Sequence, residues 1–290
     1  MVRPVRIRAM ARVGAGGVAR CAMGAALAIA IPGTAYAQRG GADSVWTTEW
    51  IPVSGGHLKA RVYRSLDATP APILVIVLHG DAPVNKPGYQ YTFAQAAAGL
   101  GDVVIAAILR PGYIDAAGDT SSGDRGLTTG DNYTRDRIDA IMAVIRHLRA
   151  EYHARAVVLA GHSEGAAISA DILGLHPDLA KAALLVSCPC DVPAWRAHMK
   201  SIHPAPVWDV PVESLSPQDL AEKVSSSVHV QMVVGAADSV APPELTTRYA
   251  DALRRKGIDV NVTLLPGEGH EIFLEPAVQG VLADLLHSIR

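Results

Sequence analysis

Ala156-Val157-Val158-Leu159-Ala160, then Gly161-His162-Ser163-Glu164-Gly165, then Ala166-Ala167-Ile168-Ser169-Ala170-Asp171-Ile172-Leu173-Gly174: this run decides the fold. A short β-branched stretch feeds a G-x-S-x-G turn, and an alanine-rich helical stretch leaves it. The bare five-residue pattern is weak evidence; its position between a strand and a helix is strong evidence. There the turn must be tight, so the residues on both sides of the serine need room for backbone against backbone, which glycine supplies. The same turn sets Ser163 at a helix N-terminus, where unpaired N–H groups favour negative charge. A simple helix cap would account for Ser163 but not for the paired glycines or the strand.

Outward from this point, strands and helices alternate. Pro72–Leu78 contains Ile73-Leu74-Val75-Ile76-Val77-Leu78, a continuous apolar run suited to a strand buried on both faces of a parallel sheet. Val103–Leu109, Ala156–Ala160, Ala182–Val186, Val228–Val234 and Val260–Leu265 read as further strands. Helices are expected around Tyr91–Leu100, Asn132–Tyr152, Ser163–Leu175, Leu245–Lys256 and Val278–Ile289. Ser44–Val53 and Leu58–Tyr63, joined at Gly55-Gly56, read as an antiparallel hairpin. The expected fold is therefore α/β: a mostly parallel, doubly wound sheet with an antiparallel N-terminal hairpin. Two segments break the rhythm. Arg110–Thr129 is rich in Gly, Asp and Ser and reads as a long surface loop with a functional role. Asp191–Ser227 carries five prolines, Trp195 and Trp208, with little periodicity beyond a short helix near Gln218–Val224. It reads as an insertion over one end of the sheet, with an ordinary long crossover as the alternative.

A serine hydroxyl needs a base, and the base needs a carboxylate to orient it. In this topology acid and base follow the serine, each at the C-terminal end of a later strand. Val228–Val234 runs into Gly235-Ala236-Ala237-Asp238, and Val260–Leu265 runs into Pro266-Gly267-Glu268-Gly269-His270. Asp238 is the expected acid and His270 the expected base. Asp191, also after a strand, remains a rival acid; His176, His198, His203, His229 and His287 are wrongly placed. Two backbone donors are expected to face the oxyanion: the N–H of Glu164, after the serine, and that of Asp81, in His79-Gly80-Asp81 after the strand 73–78. His79 itself reads as a turn-stabilising residue. Tyr113 and Trp195 are candidate substrate contacts. No metal-ligand spacing such as H-E-x-x-H occurs, and no cofactor is expected.

Length and composition bound the rest. The 290 residues are 49% hydrophobic and 19% charged, which suits a folded chain with a sizeable core and excludes a largely disordered one. Three cysteines exclude a disulfide scaffold. Residues 1–37 hold Arg3, Arg6, Arg8, Arg12 and Arg20 and no acid, leaving 21 basic against 28 acidic residues in the remainder, a net of −7. That acidic body gives no electrostatic case for nucleic acid. The Arg-rich start, the apolar run Cys21–Ile31 and Ala35-Tyr36-Ala37 read as a signal peptide ending at Ala37, with residues 38–290 as the mature domain exported to the periplasm or medium. The apolar run is about half of what a bilayer span needs, so no stable membrane anchor is expected. Cys188 and Cys190 flank Pro189 after a strand; a strained small-ring disulfide and two buried thiols both remain open. The sequence carries no sign of oligomeric state.

These elements together resemble the α/β-hydrolase superfamily over Val45–Arg290. The resemblance rests on His79-Gly80, Arg110-Pro111-Gly112-Tyr113, the GHSEG turn at 161–165, Gly235-Ala236-Ala237-Asp238 and Gly267-Glu268-Gly269-His270. Within it, the chain looks most like single-domain relatives of prolyl oligopeptidases and dienelactone hydrolases. It departs from the latter's cysteine nucleophile, and residues 38–71 leave no space for the former's propeller. The resemblance implies a serine hydrolase working through an acyl-enzyme on a small ester or a short peptide. A carboxylic ester hydrolase is expected first, with a small peptidase or aminopeptidase as the alternative.

Overall fold

The computed structural model describes residues 38–39 and 44–289; the expected signal peptide lies outside them. Among the described residues, nine strands form one sheet in the order β1-β2-β3-β5-β4-β6-β7-β8-β9. The short β1 (Gln38–Arg39), β2 (Ser44–Val53) and β3 (Gly56–Ser65) run antiparallel, and β3 pairs antiparallel with β5 (Val103–Ile108). β4 (Ile73–Leu78), β5, β6 (Ala156–His162), β7 (Ala182–Val186), β8 (His229–Gly235) and β9 (Asp259–Leu265) pair in parallel. The hairpin closes with Val53 opposite Gly56, and Gly55 at φ +86° takes the left-handed turn position that disfavours other residues.

β4 shows why its sequence is a continuous apolar run. Leu74, Ile76 and Leu78 face one core, and Ile73, Val75 and Val77 face the other. The first core is closed by α2 (Arg135–Glu151), α3 (Glu164–Leu175) and α6 (Pro243–Arg255). On α2, Ile138, Ile141, Met142, Ile145 and Leu148 are buried at helical spacing. Each such side chain contributes roughly 1.5–3 kcal/mol of burial. The second core is closed by α1 (Tyr89–Ala97) and α7 (Pro276–Ser288), whose inward residues include Phe93 and Leu282.

The chain leaves β4 for β5 on one side of the sheet and returns to β6 on the other, so strand order reverses between β4 and β6. At such a reversal the loops leaving the two strand ends diverge and open a crevice, the usual ligand position in an open α/β sheet. The loop after β4 carries Gly80 and Asp81; the turn after β6 carries Ser163.

Two loop readings need correction. Arg110–Thr129 is pinned rather than a free surface loop: Arg110, Tyr113, Asp115 and Ser121 are all buried. Asp115 accepts from buried Lys59 at 2.5 Å and from the Tyr91 hydroxyl at 3.1 Å, while Asp119 accepts from Lys59 at 2.6 Å. An unpaired lysine at this depth would be costly, and the two carboxylates supply its compensation. The stretch after Asp191 also holds a helix that its aperiodic sequence did not suggest, α4 (Val192–Ile202). Pro193 falls in the first turn, where its missing N–H costs nothing, and the Asp191 carboxylate caps the helix by accepting from Ala194 N–H at 3.1 Å. Residues 191–227 continue through a 3-10 turn at Pro206–Asp209, the short α5 (Pro217–Leu220) and a second 3-10 turn at Ala221–Lys223. Ala221 and Val224 return to the core.

Candidate active site

Ser163 stands between β6 and α3 with φ 54° and ψ −124°, outside the ordinary regions for a non-glycine residue. Such a backbone costs on the order of 1–3 kcal/mol and persists because its surroundings dictate it. A Cβ on Gly161 would lie 2.2 Å from the Gly165 carbonyl oxygen, and one on Gly165 2.3 Å from that of Leu78. The spacing of the two glycines is thus a steric requirement of the turn.

The structure brings together the three residues expected from strand ends. His270 Nε2 lies 2.8 Å from Ser163 Oγ, and His270 Nδ1 lies 3.0 and 2.9 Å from the two Asp238 oxygens. Asp238 is held by the N–H groups of Val240 (2.9 Å) and Ala241 (2.8 Å), which fix the carboxylate's orientation. Burial lowers the affinity of the His270 ring for a proton, but Asp238, Glu164 and Glu271 more than offset this, and its pKa is raised. Asp191, the rival acid, is engaged elsewhere: one oxygen caps α4 and the other pairs with Arg248 at 2.7 Å.

Several residues that the sequence did not single out hold this arrangement. His162, the variable residue of the G-x-S pattern, donates from Nε2 to the His270 carbonyl at 3.0 Å and accepts at Nδ1 from the Tyr89 hydroxyl at 2.9 Å. Burial, with help from His270, holds its pKa down at about 4, so the ring is neutral. Ser187 donates its hydroxyl to the same His270 carbonyl at 3.0 Å. The Tyr89 oxygen in turn accepts the Gly80 N–H at 2.6 Å. Gly80 must be glycine, since a Cβ there would stand 2.9 Å from Ser163 Cβ and 3.2 Å from both Glu164 Oε2 and the Tyr89 oxygen.

The loop after β4 is tied down by a buried network. His79 Nδ1 donates to the Gly80 carbonyl at 2.7 Å, and its Nε2 accepts the Arg110 N–H at 3.1 Å, a turn-stabilising role. The Arg110 guanidinium donates to the His79 carbonyl (3.0 Å), to Asp81 Oδ1 (3.2 Å) and to Asn132 Oδ1. Asn132 Nδ2 donates to Asp81 Oδ1 at 3.0 Å. Tyr113 belongs here and not among substrate contacts: it is buried, and its hydroxyl donates to Asp81 Oδ1 at 2.6 Å. The expected oxyanion donors are both at the site, with a difference. Glu164 is the first residue of α3, so its N–H has no partner within the helix. The Asp81 N–H, however, donates to Glu164 Oε2 at 2.7 Å, and the Ser163 hydroxyl donates to the same oxygen at 2.8 Å. Burial and the neighbouring Glu164 push the Asp81 carboxyl up to about 6. Burial would raise Glu164 too, but the Asp81 N–H and Arg110 outweigh it, and its pKa is lowered.

Above Ser163 lies a cavity of about 430 Å³ lined by Trp195, Met199, Trp208, Leu127, Val240 and Tyr89, together with Gly80, Asp81, His162, Ser163, Glu164 and His270. Trp195 reaches it from α4, with Nε1 donating to the Val240 carbonyl at 2.9 Å, and packs edge-on to Trp208 at 5.8 Å. The wall is fastened by Arg196, which donates to the carbonyls of Thr129, Val207 (3.3 Å), Trp208 (3.0 Å) and Val210 (2.7 Å). Among the described residues, no cluster of three or more His, Cys, Asp or Glu is arranged to hold a metal. None of the described helices is long and apolar enough to cross a membrane. Cys188 and Cys190, at the end of β7, are joined by a disulfide with 5.1 Å between their Cα atoms.

The sequence model of the prolyl oligopeptidase family matches residues 114–286. The chain belongs to that family. Its fold is shared by both esterases and peptidases. Est1E from Butyrivibrio proteoclasticus is 17% identical, with a TM-score of 0.63 over 83% of this chain and 98% of its own. The acylaminoacyl peptidase of Pyrococcus horikoshii is 16% identical, with a TM-score of 0.63 over 86% of this chain and 41% of its own. A puromycin-hydrolyzing peptidase of Mycobacterium tuberculosis is 18% identical, with a TM-score of 0.65 over 84% of this chain and 39% of its own. This prolyl oligopeptidase-family chain thus spans about two fifths of the length of those two peptidases. No curated protein matches it.

Proposed function

We propose that this chain hydrolyses carboxylic esters of short or medium acyl groups through an acyl-enzyme on Ser163. The observation that carries the reading is the continuous contact Asp238–His270–Ser163 beside the Asp81 and Glu164 N–H groups. In the first half-reaction, Ser163 Oγ attacks the ester carbonyl carbon and its proton passes to His270 Nε2. Asp238 keeps the Nδ1–H tautomer and stabilises the imidazolium. The oxyanion is held by the N–H groups of Asp81 and Glu164, each worth on the order of 3 kcal/mol. The tetrahedral intermediate collapses, and the alcohol leaves with the proton from His270. Water then gives a proton to His270 and attacks the acyl carbon; collapse releases the acid and returns the proton to Ser163.

Two features favour esters of compact acyl groups. The cavity is small, with Trp195, Trp208, Met199 and Leu127 among its apolar lining residues, which suits a compact acyl group. Esters also expel a better leaving group, so a site with modest substrate positioning acts on them first. The match to Est1E, over 98% of that chain and 83% of this one, agrees with this reading. A peptidase is the second reading, favoured by the acids Glu164 and Glu271 that line the cavity and offer counter-charges to a peptide amino group. Purified protein should hydrolyse short p-nitrophenyl esters and act far more weakly on aminoacyl anilides. Rapid cleavage of a proline or alanine anilide with negligible esterase activity would overturn the ester reading.

We also propose export with removal of residues 1–37, on the strength of the Arg-rich start, the apolar run and Ala35-Tyr36-Ala37. Mass spectrometry of protein from the native envelope should find Gln38 or a near neighbour at the N-terminus. Intact Met1 in a cytosolic fraction would refute it.

A further inference from the structure

The Glu164 side chain has no part in the reaction written above, yet it touches two groups that reaction needs. Its Oε2 accepts the Asp81 N–H at 2.7 Å and the Ser163 hydroxyl at 2.8 Å. A substrate oxyanion would stand bonded to the carbon attached to Ser163 Oγ and within hydrogen-bond range of the Asp81 N–H. Glu164 Oε2 already fills that place. Glu164 is 5% exposed, and its carboxylate lies against Gly80, where an added Cβ would stand 3.2 Å from Oε2.

The same contact also sets Glu164 against His270. A serine hydroxyl carries one proton, and here it faces two acceptors, His270 Nε2 at 2.8 Å and Glu164 Oε2 at 2.8 Å. Given to Glu164, it is withheld from His270, and His270 must then donate its own Nε2 proton to Ser163 Oγ. That distribution is the reverse of the one in which His270 accepts the serine proton. The residue next to the nucleophile therefore competes with the substrate for the oxyanion donor and with the base for the proton.

We propose that the Glu164 carboxylate is an internal occupant of the oxyanion site, which an acyl group must displace before Ser163 can react. The inference rests on the assignment of Ser163 as nucleophile. It makes Glu164 the residue that sets how readily the site accepts any tetrahedral anion. The cavity adds to the effect: Asp81, Glu164 and Glu271 line it, and no Lys or Arg does among the described residues. The charge that forms on the oxyanion thus appears beside charge of the same sign unless Glu164 has moved.

Phenylboronic acid tests this directly. Ser163 Oγ adds to the trigonal boron, a B–O bond forms, and the serine proton passes to His270, leaving a tetrahedral boronate anion with one oxygen at the oxyanion site. Its dissociation constant can be measured by calorimetry on the full chain carrying Glu164, Glu164→Ala, Glu164→Gln or Ser163→Ala, with boron NMR reporting the tetrahedral adduct. If Glu164 holds the site in nine molecules of ten, removing the side chain tightens binding about tenfold, because affinity scales with the competent fraction. Glu164→Gln keeps an accepting oxygen but loses the charge, so it should fall between, near threefold, and it serves if the alanine variant does not fold. Equal or weaker boronate binding in the variants would overturn the proposal, with Ser163 still the nucleophile. Binding that survives Ser163→Ala would instead overturn the nucleophile assignment and this proposal with it.

Discussion

Tyr89→Phe removes a single oxygen from the molecule, and its consequences can be worked through bond by bond. That oxygen accepts the Gly80 N–H at 2.6 Å and donates to His162 Nδ1 at 2.9 Å. Leaving a buried polar group unpaired costs roughly 1–3 kcal/mol. Tyr89 and His162 both line the cavity, from which water can partly replace the lost partner, so about 1 kcal/mol for each group is the better figure. A total near 2 kcal/mol corresponds to a fall in Tm of about 4–8 °C for a chain of this size. The catalytic effect should be larger than the stability effect. Gly80 precedes Asp81, whose N–H is to hold the oxyanion, and His162 supports the His270 carbonyl from its other nitrogen at 3.0 Å. A shift of about 1 Å in such groups costs about a hundredfold in rate. Thermal melts and kcat/KM on a short p-nitrophenyl ester measure both. A Tm within about 1 °C of the parent, with kcat/KM within about twofold, would refute the claim that Tyr89 positions both sides of the site.

Ser163→Ala and His270→Ala should each lower kcat by roughly four to six orders of magnitude with folding intact, and the double variant little further, because the residues act as a unit; steady-state kinetics with a full thermal melt checks this. Since His270 must be neutral to accept the serine proton and its pKa is raised, kcat/KM should climb with pH through an inflection above the ordinary histidine value. Asp238→Asn should move that inflection down while lowering kcat by about four orders; an unmoved inflection would detach it from His270. Thiol titration of the denatured, unreduced chain should find no free thiol at Cys188 or Cys190, and two after reduction.

The parts of this structure that were legible in the sequence are those with a short-range physical signature. The run 73–78 announces a doubly buried strand because every one of its six side chains needs a core. Gly161 and Gly165 announce the turn because side chains there would strike backbone. Asp238 and His270 were found by position, each just after a strand, and the fold then brings them to Ser163. The features without such a signature depend on contacts distant in sequence. Arg110, Asn132 and Tyr113 meet around Asp81 from loops that no periodicity links, so in sequence Tyr113 reads as a substrate contact. Asp115 reads as a solvated loop acid until Lys59, 56 residues earlier, is buried against it. Helix α4 was hidden because Pro193 reads as a breaker, and because only Val192, Trp195 and Arg196 of its eleven residues are buried, too narrow a stripe to show a helical period. The Glu164 carboxylate is fixed by an N–H 83 residues away, which its own neighbourhood in sequence gives no means of anticipating.

Arg196 carries a consequence for how such a site changes over evolutionary time. One guanidinium gathers Thr129 from one rim of the cavity and Val207, Trp208 and Val210 from another. The width of the opening is thus governed by a single clasp set outside the reacting centre. A lineage that loses or shortens that side chain lets both rims drift at once, admitting bulkier acyl groups without touching Ser163, His270 or Asp238. The same loss would remove four hydrogen bonds from the two rims, so wider substrate tolerance and a less heat-resistant fold should arrive together. In this architecture, appetite and durability are traded through one residue.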